Sequence, residues 1–176
     1  MLYLKKINFE DVEEEYKAIK SMPAQENGFE NKYHDVTKEE FINEVIPKLL
    51  KNSEGLDLPD GYVPDTYFFL WDDDKIVGLF KIRHYLNDFL RKGAGHIGYG
   101  ILPEYRGKGY AKMVLLLLEK WAKEEGYNFS VLETGVQQVS AVHLYEKSGY
   151  SRIPNYEPYE NVENSICFLK QLVYWF

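Results

Sequence analysis

Cys167 is the only cysteine among the 176 residues of the chain. No intrachain disulfide can form, and a metal site built on paired cysteines is excluded; the segment "SICF" reads as core. Long apolar runs are also missing. The longest, Met113 to Leu118, has six residues, far short of the ~20 that cross a bilayer. The opening "MLYLKKINFEDVEEE" lacks the basic flank, apolar centre and small-residue cleavage site of a secretory signal. A cytoplasmic protein without a membrane partner is expected. There is no internal repeat and no low-complexity tract, and a hydrophobic content of 45% is above the range of disordered chains. The length suits one domain, residues 1–176, with a sizeable core.

Positive charge is in short supply. A net charge of −7 argues against nucleic-acid binding, which needs a basic surface to displace the counterions of phosphates. The deficit is uneven: residues 1 to 74 hold 18 acids and 8 bases, residues 75 to 176 hold 10 acids and 13 bases. An anionic ligand suits the second part and a cationic one the first, although most of these charges sit on solvated faces such as "EDVEEEYK".

What is present follows a mixed order. "LYLKKI" reads as a strand and "FEDVEEEYKAIKSM" as a helix with Phe9, Val12, Tyr16 and Ile19 on one side. "MPAQENGFENKYHDV" reads as loop. Thr37 and Glu40 form a capping box that opens a second helix, which Pro47 should bend or end. After the turn-rich connection "KNSEGLDLPDGYVPD", the segments "TYFFLW" and "IVGLFKIRH" flank an acidic turn as an antiparallel hairpin, and "AGHIGYGILP" adds a strand with Ile97, Tyr99 and Ile101 alternating. A helix follows with Ala111, Val114, Leu115, Leu118 and Ala122 at helical spacing, up to Gly126. Then come the strand "NFSVLETGV", the short helix "SAVHLYEKSG", and the strands "YSRIP" and "SICFLKQLVYW". The order β-α-α-β-β-β-α-β-α-β-β predicts an α/β fold of α+β type around a largely antiparallel sheet.

The segment "EYRGKGYAK" joins a strand to that helix through two glycines and several basic residues. Such a turn turns the helix's unpaired N–H groups and positive dipole end toward a ligand, which makes an anion site. Gly107 and Gly109 let the backbone approach, and Arg106 and Lys108 add charge. A P-loop would require Ser or Thr after the Gly-Lys pair, and the dinucleotide fingerprint a third glycine where Lys112 stands. Both fail. The remaining alternative is a pyrophosphate turn of acyl-coenzyme A enzymes.

Arg106-Gly107-Lys108-Gly109-Tyr110-Ala111 resembles the Arg/Gln-x-x-Gly-x-Gly/Ala signature of the GNAT superfamily of acyl-CoA-dependent N-acetyltransferases. Downstream, "AVHLYEKSGY" is similar to the family's A-x-x-L-Y-E-K-x-G-F/Y segment. The resemblance covers Thr66 onward, with residues 1–65 matching only in element order. It implies a GNAT-like sheet whose central strands, ending at Ile101 and near Val136, splay around the pantetheine arm of acetyl-CoA. Residues 107–111 would hold the pyrophosphate, and the edge at Tyr99 and Ile101 would bond the arm and polarise the thioester carbonyl. Where the family often has Asn, this chain has Gln138, with a longer arm.

Tyr145, at the family's tyrosine position, is the implied acid that protonates the leaving thiolate. The family's early strand carboxylate is missing from "GHIGYGILP", which leaves His96 as the candidate base and His84 as its rival; His143 reads as surface. Arg83 and Glu133 read as an exposed sheet face or as a mutual ion pair. Glu26, Asn27, Phe29 and Tyr33 lie in the loop that covers the acceptor pocket in this fold, with Glu26, Phe29, Tyr33 and His84 as substrate contacts. Tyr156 and Tyr159, in the last long connection, could close the pocket's other side. The expectation is a single-domain N-acetyltransferase that uses acetyl-CoA, no metal, and a small-molecule primary amine; a homodimer is compatible with it. The alternatives are a protein N-terminal or lysine acetyltransferase, and a non-catalytic acyl-CoA sensor.

Overall fold

The aromatic and β-branched run after Pro64 forms the expected hairpin. Strands β4 (Asp65–Asp72) and β5 (Lys75–Arg83) pair antiparallel around Asp73 and Asp74. Asp73 takes a left-handed φ of 51°, which a tight hairpin turn demands and aspartate tolerates. Strand β1 (Leu2–Lys6) joins the far edge of β4, and β6 (Ile97–Ile101) that of β5, giving an antiparallel sheet in the order β1-β4-β5-β6. The computed structural model describes residues 1–26, 29–88, 90, 97–124, 126–156 and 159–172. They divide into two compact units, Met1–Arg106 and Gly107–Phe176.

In the first unit, helices α1 (Val12–Ser21) and α3 (Ile46–Ser53) bring Ala18, Ile19, Ile46 and Leu49 into one cluster with Tyr67, Phe69 and Trp71 of β4. These three aromatics are two residues apart, so the strand's alternation delivers them all to the helical face. A bulge interrupts the hairpin between Leu70 and Trp71, where Leu70 pairs with Gly78 and Trp71 with Ile76. The bulged Val77 carbonyl accepts the Leu102 N–H at 3.0 Å.

Two sequence expectations are corrected here. The segment read as loop after Met22 contains a short ladder of β2 (Gln25–Glu26) with β3 (Phe29–Glu30). Asn31 fastens it: buried to 2% exposure, its Nδ2 donates to the carbonyls of Ile19 and Met22 at 2.8 Å each, and its own N–H reaches Ala24. The last carbonyls of α1, which have no helical partner, thus hold the loop. Pro47 does not end the second helix either. The capping box at Thr37 forms, starting α2 (Lys38–Glu40), which runs through a π-turn (Phe41–Val45) into α3. The wider i to i+5 bond, from Ile46 N–H to the Phe41 carbonyl, accommodates a proline that has no N–H to give.

Glu15 of α1 is fully buried, and its carboxyl accepts from the Asn8 N–H at 3.2 Å and from Asn8 Nδ2 at 3.0 Å. Burial outweighs these bonds and pushes its pKa up to about 8, from an ordinary value of 4.5. Folded, the group keeps a proton that the unfolded chain releases, so stability falls as pH rises from the unfolded value toward the folded one. Glu15→Gln should therefore gain on the wild type as pH rises, by on the order of 2 kcal/mol at about pH 8 and little at about pH 5. Thermal unfolding at the two pH values checks this; a pH-independent difference would refute it.

The second unit contains α4 (Tyr110–Glu124), β7 (Phe129–Gly135), α5 (Val139–Lys147), β8 (Ser151–Ile153) and β9 (Ser165–Gln171). The strands form an antiparallel sheet in the order β7-β9-β8. Leu115, Val142, Tyr145, Tyr150 and Phe168 make its core, and Cys167 is buried as expected. Buried Glu119 is compensated by Lys170 at 2.7 Å, as a charge out of water requires. Among the described residues, no helix is long and apolar enough to cross a membrane and no His/Cys/Asp/Glu group could hold a metal.

Candidate functional site

In the first unit, β6 is the edge strand of the sheet. Because Leu102 bonds inward to Val77, strand alternation turns Gly100 toward β5, and Tyr99 and Ile101 present their N–H and C=O groups to the outer edge. The Ile101 carbonyl is met there by Arg106 Nε at 2.9 Å. Arg106 thus ties the strand end to the turn that follows it, a role the sequence reading did not foresee. Tyr99 stacks on Phe80 with ring centroids 5.5 Å apart.

The side chains of β6 alternate too, and the glycines face the acceptor-side loop. A Cβ on Gly100 would lie 2.9 Å from Met22 Cε and 3.3 Å from the Phe29 ring, so with a larger residue the end of the Met22 side chain would have to shift. Phe29, buried, is brought directly onto β6. Glu26 stands opposite Phe29 in the short ladder. Tyr33 packs edge-on against Tyr67 at 6.3 Å, and burial, then the nearby Asp65, push its phenol up to about 12. Asp65 itself went unnoticed in the sequence. It is buried, pairs with Lys81 at 2.8 Å, and its Oδ1 has no hydrogen-bond partner among the described residues. His84 is exposed beyond β5, with Nε2 2.8 Å from Thr66 Oγ1. His96 and Asn27 lie outside the described residues.

The second unit begins with the glycine turn. Gly107 and Gly109 have φ of 71° and 86°, and a Cβ on either would meet nothing within 4 Å. Glycine is needed here for the left-handed backbone, not for room inside the protein. Gly109 caps α4, its carbonyl accepting from Lys112 and Met113. Among the described residues, the N–H groups of Gly107, Gly109 and Ala111 donate to no protein acceptor. Exposed Lys108 and Lys112 flank them. A row of amides at a helix start, beside two ammonium groups, is built to receive a polyanion.

Downstream, Gln138 starts α5, and its Oε1 accepts the Thr134 hydroxyl at 3.4 Å. Tyr145 lies on the inner face of α5, 7% exposed, its ring 5.4 Å from that of Phe168 and 6.0 Å from that of Tyr150. His143 is exposed, as expected. Glu133 departs from the exposed-face reading: it is half-buried on β7 and accepts the Ser165 hydroxyl.

A model of the acetyltransferase (GNAT) family matches residues 23–150. N-acetyltransferase family 8 member 2 of Rattus norvegicus is 36% identical over 56 residues, which is 32% of this chain and 25% of that protein. The chain spans only 25% to 30% of the length of three such rodent relatives. The uncharacterized N-acetyltransferase YdgE of Bacillus subtilis (strain 168) is 26% identical over 144 residues, covering 79% of this chain and 87% of that one. Among solved structures, spermidine N-acetyltransferase from Vibrio cholerae in complex with CoA and spermine superposes with a TM-score of 0.57 at 17% identity, covering 97% of this chain and 95% of that one.

Proposed function

The chain belongs to the acetyltransferase (GNAT) family, and from that premise we propose that it is an enzyme moving an acetyl group from acetyl-CoA to the primary amine of a small molecule, by direct transfer in a ternary complex. On this reading residues 1–176 act as one cytoplasmic acetyltransferase domain. The observation that carries it is the turn at the start of α4, whose Gly107, Gly109 and Ala111 amides have no acceptor among the described residues. Those donors, with Lys108 and Lys112, fit a pyrophosphate. Bound there, acetyl-CoA supplies an activated acetyl thioester.

The chain's own residues do the rest. The outer edge of β6 at Tyr99 and Ile101 orients the pantetheine arm and offers backbone donors to the thioester oxygen. Arg106 keeps that edge in place through Ile101. Tyr145 donates its phenolic proton to the departing sulfur, a transfer that a neutral phenol can make at physiological pH. The acceptor must be neutral to attack. A lysine-like amine, with a pKa of about 10.4, loses its proton at pH 7 at a cost of roughly 4.6 kcal/mol, so a base or a relaying water takes it. Phe29 and Tyr33 shape the acceptor's approach.

The test is a panel of polyamines, amino sugars, amino-acid amines and short peptides, read by release of free CoA at two ionic strengths. The acidic first 74 residues favour a cationic acceptor, so kcat/KM for such amines should be highest and should fall several-fold with added salt. Preference for an acidic amine such as glutamate would remove the charge argument, and turnover of peptides alone would make the acceptor a protein. The buried ring of Tyr145 also suits a packing role. Tight acetyl-CoA binding without turnover of any amine would accordingly make the chain a sensor.

A further inference from the structure

The two faces of the β7-β9-β8 sheet differ. Leu132, Ile166 and Phe168 pack with α4 and α5. On the opposite face Glu133 lies across the ladder from Cys167, and Cys167 across from Ile153. The described residues of the connection after β8 are held at this face. Asn155 Nδ2 donates to the carbonyls of Tyr159 and Ser165 at 3.2 and 3.1 Å, the Tyr159 N–H reaches the Tyr156 carbonyl, and the Tyr156 N–H points to the Cys167 sulfur. The rings of Tyr156 and Tyr159 consequently stand at 86° with centroids 5.7 Å apart.

Glu133 sits half-buried beside these rings. The Ser165 hydroxyl donates to one of its oxygens, and among the described residues no basic side chain pairs with it. Its charge reaches its neighbours. Burial is the first cause that raises Tyr156, to about 12, with Cys167, Tyr159 and Glu133 adding to it; burial and then Glu133 raise Tyr159. A half-buried carboxylate with no basic side chain paired to it among the described residues attracts a cation. Two tyrosine faces at right angles attract a cation through their ring quadrupoles and repel an anion. An alkylammonium group satisfies both features at once, its N–H groups on the carboxylate and its methylenes on the rings.

We propose that Glu133, Tyr156 and Tyr159 form a box that binds an ammonium group of the acceptor, which makes the acceptor class a cationic alkylamine and Glu133 its specificity residue. The inference rests on the acyl-transfer reading, in which β7 flanks the pantetheine arm. Glu133→Gln keeps the shape and an acceptor for Ser165 but removes the charge. It should raise KM for cationic amines about 10- to 100-fold, the range for a hydrogen bond to a charged group, and leave KM for acetyl-CoA unchanged. Tyr156→Leu should act in the same direction.

2-(Dimethylamino)ethanol, a tertiary amine that is protonated at neutral pH and so keeps an N–H but cannot form a stable amide, should compete with the amine in the wild type, whereas its uncharged isostere 3-methylbutan-1-ol should not. Its binding by calorimetry should vanish in Glu133→Gln. If amines are acetylated but this tertiary amine does not bind the wild type and Glu133→Gln leaves KM for the amine unchanged, the box is wrong and the transferase reading stands. If it binds the wild type, fails to bind Glu133→Gln, and no amine is acetylated, the box stands and the transferase reading is wrong.

Discussion

Tyr145→Phe should lower kcat by roughly 10²–10⁴, the range for loss of a general acid, with acetyl-CoA affinity little changed. The substitution keeps the ring that packs between Phe168 and Tyr150 and removes only the oxygen. Magnitude separates the two roles this residue could play. A net hydrogen bond lost from a buried hydroxyl costs about 1 kcal/mol of stability, whereas a kcat loss of that size is roughly 3–5 kcal/mol of barrier. Pre-steady-state measurements, which isolate the chemical step, together with thermal unfolding, decide the matter. A rate of chemistry within a factor of ~3 of wild type, with a lowered melting temperature, would assign Tyr145 to the core alone.

The second large effect is expected at the turn. Gly109→Val places a β-branched residue at a φ of 86°, a region such side chains do not occupy without strain. Nothing in the protein would collide with the new side chain, so the turn must relax rather than the core. Relaxation moves the Gly109 and Ala111 amides off a common target. Losing two charge-assisted hydrogen bonds should weaken acetyl-CoA binding by ~100-fold or more, while the unfolding transition stays cooperative. Calorimetric titration with acetyl-CoA measures this. Full affinity in a folded Gly109→Val protein would remove the turn from the cofactor site.

Local signals carried much of the fold. The capping box at Thr37, the acidic hairpin turn and the glycines that stop α4 and α5 each involve neighbours within a few residues, and contacts of that range are written in the order of the side chains. The two misreadings are instructive for the same reason. Of the two outcomes that Pro47 predicts for the second helix, a bend or an end, the end does not occur. Packing of Phe41, Val45, Ile46 and Leu49 into the first unit's core outweighs the proline's propensity, and the π-turn absorbs the missing bond. The loop after Met22 has no periodicity to betray a ladder. It is ordered by Asn31, whose partners at the end of α1 and on the capping Met22 lie 12 and 9 residues away.

The candidate site divides along the same line. Sequence by itself marked Gly107–Lys112 as a candidate anion turn, because the amides, the left-handed glycines and the flanking lysines all lie within it, and helix geometry leaves first-turn N–H groups to face outward. It also determined the mixed α/β class, through hydrophobic period together with capping and turn residues. Only the tertiary structure decided what surrounds a distant carboxylate. Glu133 is one acidic residue in an alternating strand until β9 sets Cys167 across from it and the connection after β8 swings Tyr156 and Tyr159 beside it. Asp65 and Gly100 likewise look ordinary until Lys81 or Met22 arrives from another element. The physical reason is that burial and electrostatic environment depend on which segments meet in space, and chain order does not specify those meetings residue by residue.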